Sequence, residues 1–275
     1  MSEPKRIRVV SKVAEILRLF PGAEPLSLTE IARGMDANTS SIYHIVQTLV
    51  DEGFLSQDVS TRKYSLGPTL LTLVPPHSQT AALVAAAEGP LYECSQATGF
   101  DVWLGLLELD RVYYIARVAG DSPLKVHMPL LQLQPAHAVS PGRVMLSGLS
   151  SEKARATLSL HTLRKMTPDT CTDVERVLTE VDKAREQGYA EVDGEHIVGA
   201  SDMAVPVFGL NGVMIAAISI GAPSHVFGHE RRLEVLPHLQ TAAARTRERL
   251  LKSQPPPEHN SDDVLTGPSV MNAAS

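Results

Sequence analysis

Two groups of polar residues near the amino terminus have the chemistry of nucleic-acid contact. The first is a set that falls on one side of a helical segment: Thr39, Ser40, Ser41, Tyr43, His44 and Gln47. Hydroxyl groups bond phosphates or bases, and a glutamine can bond adenine through two hydrogen bonds. The second is the basic pair Arg62-Lys63, whose charges suit phosphate oxygens. The polar residues of the helical segment are also consistent with a helix face that is merely exposed to solvent. The predicted elements around them are needed to choose between nucleic-acid contact and simple solvation.

Those elements follow the order of a winged helix-turn-helix. Apolar residues from Val13 to Phe20 fall at helical spacing, and Ser27-Leu-Thr-Glu30 has the spacing of a capping box that opens a second helix. After a turn at 36–38, a third helix is predicted over 39–52, ended by Gly53. A hairpin with a basic tip follows. In such a motif the second helix of the pair lies in the DNA major groove, which favours the nucleic-acid interpretation.

The distribution of charge removes an objection to this prediction. The net charge of -6, from 25 basic and 31 acidic residues, argues by itself against a nucleic-acid protein. However, residues 1–67 hold eight groups of each sign, so the whole excess lies in 68–275. The basic groups gather at the extreme amino terminus (Lys5, Arg6 and Arg8) and at Arg62-Lys63. Salt screening limits the reach of the distant acidic charge to about 10 Å.

The rest of the chain predicts a second, larger domain. Residues 68–80 are predicted as a linker around Pro75-Pro76, and residues 253–275 as a disordered tail. Between them, over 81–252, helices alternate with strand pairs, which predicts an α+β domain with helices on one side of an antiparallel sheet. Within it, Thr172-Asp-Val-Glu175 matches a capping box, and Pro237 is expected to interrupt a long final helix over 230–252.

Motifs of enzymes and metal sites are incomplete. Ala217-Ile-Ser219-Ile-Gly221 lacks one glycine of a nucleophile elbow and lies within a predicted strand. His225 and His229 have helical ligand spacing but no third ligand. Cys94 and Cys171 stand far apart outside any CxxC, and the sequence has no Walker or GxGxxG motif. We therefore predict no catalytic residue, metal or cofactor. No apolar run approaches the ~18 residues of a membrane span and no secretory signal is evident, so we expect a cytoplasmic protein.

The amino-terminal quarter resembles the IclR family of bacterial transcriptional regulators. The resemblance rests on Thr29-Glu-Ile-Ala-Arg-Gly-Met35, on Ser40-Ser-Ile-Tyr-His-Ile-Val-Gln-Thr-Leu-Val-Asp-Glu-Gly-Phe-Leu55 and on Tyr64-Ser-Leu-Gly67. The family usually has a lysine at the position of Thr39 and an arginine at that of His44. Without them residues 37–50 carry no formal charge, which shifts phosphate contact to the arm and to Arg62-Lys63.

The carboxyl-terminal half resembles the same family over Gly188–Pro223 and at His137-Ala-Val-Ser-Pro-Gly-Arg143. The resemblance implies a GAF-like domain that binds a small metabolite. Carried over position by position, the effector-binding residues are Ser140, Pro141, Asp193, Asp202, Ser219 and Gly221. Backbone N–H groups at the helix start near Pro141 suit an anion. Because the two aspartates would repel an unpaired anion, a cationic, hydroxylated or neutral effector is favoured here.

Two functions from different classes follow from the sequence. The first is a DNA-binding regulator whose carboxyl-terminal domain senses a small-molecule effector, and which contacts double-stranded operator DNA as a homodimer or tetramer. Dimer contacts at Val13 and Leu17 are implied by the family resemblance. The alternative is a metabolite-binding or hydrolytic protein whose amino-terminal helices serve association only. Loss of DNA binding on removal of Arg62 and Lys63 would favour the first.

Overall fold

The computed structural model describes residues 7–20, 24–73, 79–126, 133–209 and 211–253. Lys5 and Arg6 of the predicted arm, Pro75-Pro76, and the predicted tail from residue 254 onward lie outside these ranges.

The amino-terminal unit packs three helices and a hairpin around one apolar core. Its elements are α1 (Arg8–Arg18), α2 (Leu28–Gly34), α3 (Thr39–Asp51), β1 (Leu55–Gln57) and β2 (Tyr64–Leu66). The capping box is confirmed, since Ser27 Oγ accepts from the Glu30 N–H at 3.3 Å and the Ser27 N–H donates to Glu30 Oε2 at 2.7 Å. Gly53 ends α3 with a φ of 72°, as predicted. Ile16, Ile31, Ile42 and Val46 are completely buried between the helices.

A close backbone contact joins the hairpin to the residues that follow it. A Cβ placed on Gly67 would lie 2.1 Å from the Gly53 carbonyl oxygen, so only glycine fits there. Within the segment predicted as a linker, α4 (Thr69–Leu73) forms a short helix. The Thr69 N–H donates to Gly53 O at 3.1 Å and Thr69 Oγ1 donates to Glu52 O at 3.0 Å. The start of that segment is therefore held against the end of α3.

An antiparallel sheet organises the second unit. Among the described residues it has the strand order β5-β4-β3-β8-β7-β6. The strands are β3 (Val102–Glu108), β4 (Arg111–Val118), β5 (Leu133–Pro135), β6 (Ala190–Asp193), β7 (Ala200–Phe208) and β8 (Met214–Pro223). The pairing of β3 with β4 shifts between Leu104 and Gly105, which leaves Ile115 as an extra residue in β4. Such a bulge changes which side chains of a strand face each side of the sheet.

Helices cover both faces of this sheet, which corrects the expectation of helices on one side only. The helices are α5 (Gln79–Thr98), α6 (Ser140–Ser147), α7 (Ser151–Leu158), α8 (Val174–Gln187) and α9 (His229–Ser253). One face packs against α5 and α9 through residues such as Leu104, Val205 and Ile218. The other packs against α6, α7 and α8, where Trp103 and Ala217 point. The strands are buried on both sides because alternate residues enter apolar clusters on opposite faces of the sheet.

Two local predictions were wrong. The residue that caps α8 is Asp173, whose Oδ1 accepts from the N–H groups of Glu175 at 2.9 Å and Arg176 at 3.1 Å; Thr172 takes no part. A short carboxylate next to the first helical residue reaches both orphan donors and also interacts favourably with the helix dipole. Pro237 does not interrupt α9, which continues to Ser253. Val235 and Leu239, buried on either side of it, hold the helix together by tertiary packing.

Candidate nucleic-acid interface and small-molecule cavity

The outer side of α3 presents most of the residues predicted to contact DNA. Thr39, Ser40, Ser41, Tyr43 and His44 are all exposed, while Ile42, Val46 and Leu49 fix the helix from beneath. Ser41 Oγ donates to Asn38 O at 2.7 Å, and the Tyr43 and His44 rings meet edge to face with centroids 5.5 Å apart. The start of the helix therefore offers a hydroxyl-rich surface with no formal charge.

Gln47 lies apart from this exposed surface. Its side chain is half-buried, and its Nε2 donates to the Tyr64 hydroxyl of β2 at 3.3 Å. Bonding adenine through two hydrogen bonds needs both ends of the amide. Gln47 in this position connects α3 to the hairpin, and it would have to release Tyr64 to read a base in that way.

The hairpin between β1 and β2 has a tip built around Asp58. Asp58 Oδ1 accepts from the N–H groups of Ser60 at 3.0 Å and Thr61 at 2.7 Å and from both hydroxyls. Hydrogen bonds from Ser60 and Thr61 lower the pKa of Asp58 to about 2. Arg62 follows with a φ of 58°, in the left-handed region, and both Arg62 and Lys63 are exposed. The turn thus projects two cations beside one fixed carboxylate.

A cavity opens on the sheet face covered by α6, α7 and α8. It encloses about 430 Å³ between its walls, part of it open to solvent at the mouth. Its apolar wall consists of Trp103, Tyr114, Val126, Val139, Ile197 and Ala200. Its polar residues are His196, Ser201, Asp202, Ser219 and Gly221, the last through its backbone. An apolar pocket with a few converging polar groups is the usual form of a small-molecule site.

Asp202 is the carboxylate of this cavity. Its Oδ2 accepts from the Ser140 N–H, at the start of α6, at 2.6 Å. Burial raises the pKa of Asp202 to about 6, although contact with Ser140 and the charge of Arg143 oppose the rise. Ser140 Oγ lies beside the same carboxylate, completely buried and without a hydrogen bond of ordinary geometry to any described residue. Asp202 therefore occupies the helix start that sequence reasoning offered to an anionic ligand.

Ser219 and Tyr114 form the opposite polar corner. Ser219 lies in the middle of β8, paired with Trp103 of β3 and Ala204 of β7. Burial raises the pKa of Tyr114 well above its usual value, and contact with Ser219 works in the other direction. Tyr114 is therefore a neutral phenol at physiological pH, with its ring 5.3 Å from that of Trp103. The mid-strand position of Ser219 agrees with the prediction that it lies within a strand and not at a nucleophile elbow.

Three of the six predicted effector-binding residues line the cavity: Asp202, Ser219 and Gly221. Ser140 and Pro141 stand behind its wall at the start of α6, and Ser140 reaches the cavity only through Asp202. Asp193 is exposed on β6, where its Oδ1 accepts from Ser201 Oγ at 2.6 Å and from Ser224 Oγ at 3.0 Å. Asp193 is therefore connected to the cavity through Ser201, which is itself a lining residue.

A buried polar network supports the loop between β6 and β7. The Arg143 guanidinium, 3% exposed, donates to both carboxylate oxygens of Glu195 at 2.7 Å and to the His137 carbonyl at 3.0 Å. The Cys171 N–H donates to Glu195 Oε2 at 2.9 Å. Sequence reasoning missed both Arg143 and Glu195, because 52 residues separate the partners and no local pattern connects them.

His196, next in the same loop, is a cavity residue that no sequence pattern singles out. Burial lowers its pKa, and the nearby His137 lowers it further, so the ring is neutral at physiological pH. In the part of the chain that the structure describes, no three histidine, cysteine, aspartate or glutamate side chains gather as metal ligands. His229, one of the two spaced histidines, lies with Nδ1 3.0 Å from Glu191 Oε2. No helix within the described ranges is long and apolar enough to cross a membrane.

Comparisons with known proteins match both units. The family model of the IclR helix-turn-helix domain covers residues 9–59, and that of the bacterial transcriptional regulator IclR C-terminal domain covers residues 78–247. The HTH-type transcriptional regulator KdgR of Escherichia coli (strain K12) is 30% identical over 241 residues, which are 88% of this chain and 92% of KdgR.

Solved structures share the fold. An IclR transcriptional regulator from Alicyclobacillus acidocaldarius has a TM-score of 0.65 at 28% identity, covering 90% of this chain and 100% of that one. An IclR homologue from Microbacterium hydrocarbonoxydans, complexed with 4-hydroxybenzoate, has a TM-score of 0.67 at 24% identity, covering 89% of this chain and 100% of that one. The second likeness concerns the fold alone.

Proposed function

Because this chain belongs to the IclR family of bacterial transcriptional regulators, we propose that its exposed α3 surface and hairpin tip hold operator DNA while the cavity beside Asp202 binds the effector. The family consists of DNA-binding regulators with a carboxyl-terminal effector-binding domain. The observation that carries the proposal is the cavity itself, which three of the predicted effector residues line. A cytoplasmic location follows from this role.

On the DNA side, α3 enters the major groove with its amino-terminal turn toward the bases. Thr39, Ser40 and Tyr43 reach base edges or phosphates, and the ring of His44 lies beside that of Tyr43. Arg62 and Lys63 contact the flanking backbone from the hairpin. Since α3 has no lysine or arginine, the hairpin supplies a large part of the electrostatic contribution to affinity.

The protein acts as a homodimer, or as a tetramer of two such dimers. Two recognition helices reach half-sites about one helical turn apart only if two chains associate. The beginning of α1 supports this arrangement, because Ile7, Val9 and Val10 are 71%, 59% and 63% exposed. An exposed apolar face of this kind on a short helix suits a partner surface. Val13 and Leu17 continue the same helix toward the core.

The effector is a small organic molecule with an apolar body and at least one polar group. Trp103 and Tyr114 suit the body, while Asp202, Ser219 and His196 suit polar groups. The relative that holds 4-hydroxybenzoate combines these features in its ligand. Effector binding alters DNA affinity only if it favours one arrangement of the DNA-binding units over the other, and the coupling is then reciprocal.

The test is a fluorescence-anisotropy titration of the DNA flanking this gene, with and without small organic acids, alcohols and amines. We expect specific binding that weakens steeply with salt and shifts with at least one compound class. The same compound should raise the melting temperature, because a ligand of the folded state stabilises it by mass action. Absence of specific DNA binding by the full chain contradicts the proposal. Equal effector affinity with and without operator contradicts its allosteric part.

A further inference from the structure

The polar end of the cavity is built around a carboxylate that the protein itself supplies. Asp202 Oδ2 accepts from the Ser140 N–H, at the start of α6, at 2.6 Å. The backbone donor that would suit a carboxylate of the ligand is therefore already in use. Ser140 Oγ, completely buried, lies beside the same carboxylate without a partner of ordinary geometry. Asp202 Oδ1 accepts no such hydrogen bond from a described residue, which leaves it to a ligand.

The described part of the cavity wall has no cation that could neutralise a ligand anion beside Asp202. Arg143, behind the wall in α6, donates to both carboxylate oxygens of Glu195 at 2.7 Å and to the His137 carbonyl at 3.0 Å. No lysine or arginine is among the described lining residues. His196, in the β6–β7 loop, is a neutral imidazole because burial lowers its pKa. A carboxylate in this position would bring a second negative charge next to the first.

The hydrogen-bonding roles of the polar groups also disfavour a carboxylate. Burial raises the pKa of Asp202 to about 6, so at pH 7.5 the ionised form predominates, and this form only accepts. A ligand carboxylate also only accepts. Burial and the charge of Asp202 raise the pKa of Tyr114, so its hydroxyl stays protonated and can donate, with the hydroxyl of Ser219 beside it. A ligand group that fits between Asp202 and these hydroxyls must both donate and accept.

The charges beside the aromatic wall oppose the other charged class of ligand, an ammonium ion. The Arg117 guanidinium lies over the Trp103 ring, 4.9 Å from the centroid. Arg117 Nη2 and Lys125 Nζ lie 2.5 Å and 3.4 Å from the two carboxylate oxygens of Asp101, so two cations share one carboxylate. An ammonium ion also only donates, so it offers no acceptor to the hydroxyl groups of the cavity. An uncharged hydroxyl group meets neither objection, because it donates and accepts at once.

We infer that the cavity takes an uncharged hydroxyl compound with an apolar body, a phenol or an alcohol, whose hydroxyl group donates to Asp202 Oδ1. This rests on the function proposed above and specifies the ligand class of the same site. The ligand oxygen accepts in turn from the corner formed by Tyr114 and Ser219, while Oδ2 stays bound to the Ser140 N–H. The body lies against Trp103 and the aliphatic wall. The complex then carries only the charge of Asp202.

The test uses the full chain and four toluene derivatives of similar shape: 4-methylphenol, 4-methylanisole, 4-methylbenzoate and 4-methylbenzylamine. Calorimetric titration at pH 7.5 measures the Kd of each. We expect 4-methylphenol to bind about tenfold more tightly than 4-methylanisole, which keeps the ring and the oxygen but has no hydroxyl hydrogen to donate. The benzoate and the amine should bind more weakly than the phenol. A thermal-shift panel of further phenols, alcohols, acids and amines identifies the strongest ligand of each class.

Asp202→Asn is the discriminating variant, since an amide keeps the shape, removes the charge and can donate. The variant should bind 4-methylbenzoate about tenfold more tightly than the wild type does, because the repulsion is gone. It should bind 4-methylphenol about tenfold more weakly, because a neutral amide is a poorer acceptor than a carboxylate. Asp193→Asn is the matched control: it makes the same change in a carboxylate outside the cavity and should keep the wild-type preference.

The remaining outcomes separate this inference from the proposed function. An acid or an amine that binds the wild type more tightly than every phenol and alcohol overturns the inference and leaves the function standing. Equal affinity for 4-methylphenol and 4-methylanisole, no binding of any phenol or alcohol, or an unchanged preference in folded Asp202→Asn also overturns it. If the wild-type chain does not bind operator DNA specifically, the proposed function fails whatever the calorimetry shows. Thermal melts of each variant confirm that it is folded.

Discussion

At the scale of single residues, the buried carboxyl group of Asp202 lowers the stability of the folded chain at neutral pH. Folding raises the pKa of Asp202, so between about pH 4 and pH 6 the folded chain holds this proton more tightly than the unfolded chain. Stability consequently falls as the pH rises through that window and stays lowered at pH 7. Asp193, only nine residues earlier, behaves oppositely. Although burial works against it, hydrogen bonds from Ser201 and Ser224 and the charge of Arg232 lower its pKa.

These opposite shifts predict opposite effects of the same chemical change. Asp202→Asn should raise the free energy of unfolding at pH 7 by about 1 to 2 kcal/mol, which is less than the full pKa shift corresponds to because part of the group faces the cavity. The gain should disappear at about pH 4. Asp193→Asn should lower stability at pH 7. Denaturant melts at pH 4 and pH 7 measure both changes, and a destabilised Asp202→Asn at pH 7 contradicts the assignment.

The two cations of the hairpin tip give a second prediction at this scale. Because Arg62 has a positive φ, asparagine replaces it with less strain than alanine. Arg62→Asn with Lys63→Gln should weaken operator binding and reduce the slope of log K against log salt by about 1.8, that is about 0.9 for each DNA phosphate that the variant no longer neutralises. Anisotropy titrations at several salt concentrations measure it.

The chain provides a matched control for that pair. Arg164 and Lys165 are also adjacent and exposed, but belong to the carboxyl-terminal unit. Arg164→Asn with Lys165→Gln removes the same charge and should leave the slope unchanged. Equal slopes for the two double variants would show that the hairpin makes no phosphate contact.

At the scale of elements, local signals in the sequence were enough where the determining contacts are local. The capping box of α2 and the glycine that ends α3 were predicted because each depends on residues three or fewer apart. The prediction of the α8 cap was wrong because two neighbouring residues, Thr172 and Asp173, both suit the position. Only the path of the chain selects between them. The prediction that Pro237 interrupts α9 was wrong because tertiary packing outweighs the cost of a proline inside the helix.

The α8 cap is testable with adjacent substitutions. Asp173→Ala should lower the free energy of unfolding by about 1 kcal/mol, since it leaves two N–H groups at the start of α8 without a partner. Thr172→Ala, one residue earlier and equally exposed, should have little effect. Denaturant melts measure both. A larger loss for Thr172→Ala than for Asp173→Ala would restore the original assignment of the cap.

At the scale of the whole molecule, the sequence predicted the two-unit organisation, and three of the six effector-binding residues that the family resemblance implied line the cavity. The contacts that the sequence did not predict join residues far apart along the chain. Ser140 and Asp202 are 62 residues apart, Arg143 and Glu195 are 52 apart, and Gln47 meets Tyr64 across 17. No periodicity or spacing in the sequence predicts such meetings. The acidic net charge was uninformative at this scale, since it averages a neutral DNA-binding unit with an acidic sensor.

The proposed association of two chains is a property of the whole molecule. Val9→Glu with Val10→Glu places charge on the exposed apolar start of α1. If the wild-type chain is the proposed dimer, this variant should have the mass of a monomer by light scattering. Because one chain reaches only one half-site, operator affinity should fall at least tenfold. Leu160→Glu, on an apolar residue 50% exposed near the end of α7, is the control and should change neither mass nor affinity. A dimeric mass for the α1 variant contradicts this interface.

The extra residue in β4 has a consequence for how the ligand preference of this protein could change. Two residues of β4 belong to the cavity side of the sheet. Tyr114, directly before Ile115, is in the cavity wall, and Arg117, directly after Ala116, lies over Trp103. Ile115 and Ala116 pack into the apolar cluster on the opposite face. An insertion or deletion in this strand would move Tyr114 and Arg117 to the core face of the sheet and Ile115 and Ala116 to the cavity face. The packing on both faces would then be disrupted. New specificities should therefore arise by substitution in β8, where the wall residues Ser219 and Gly221 alternate with the core residues Ile218 and Ile220.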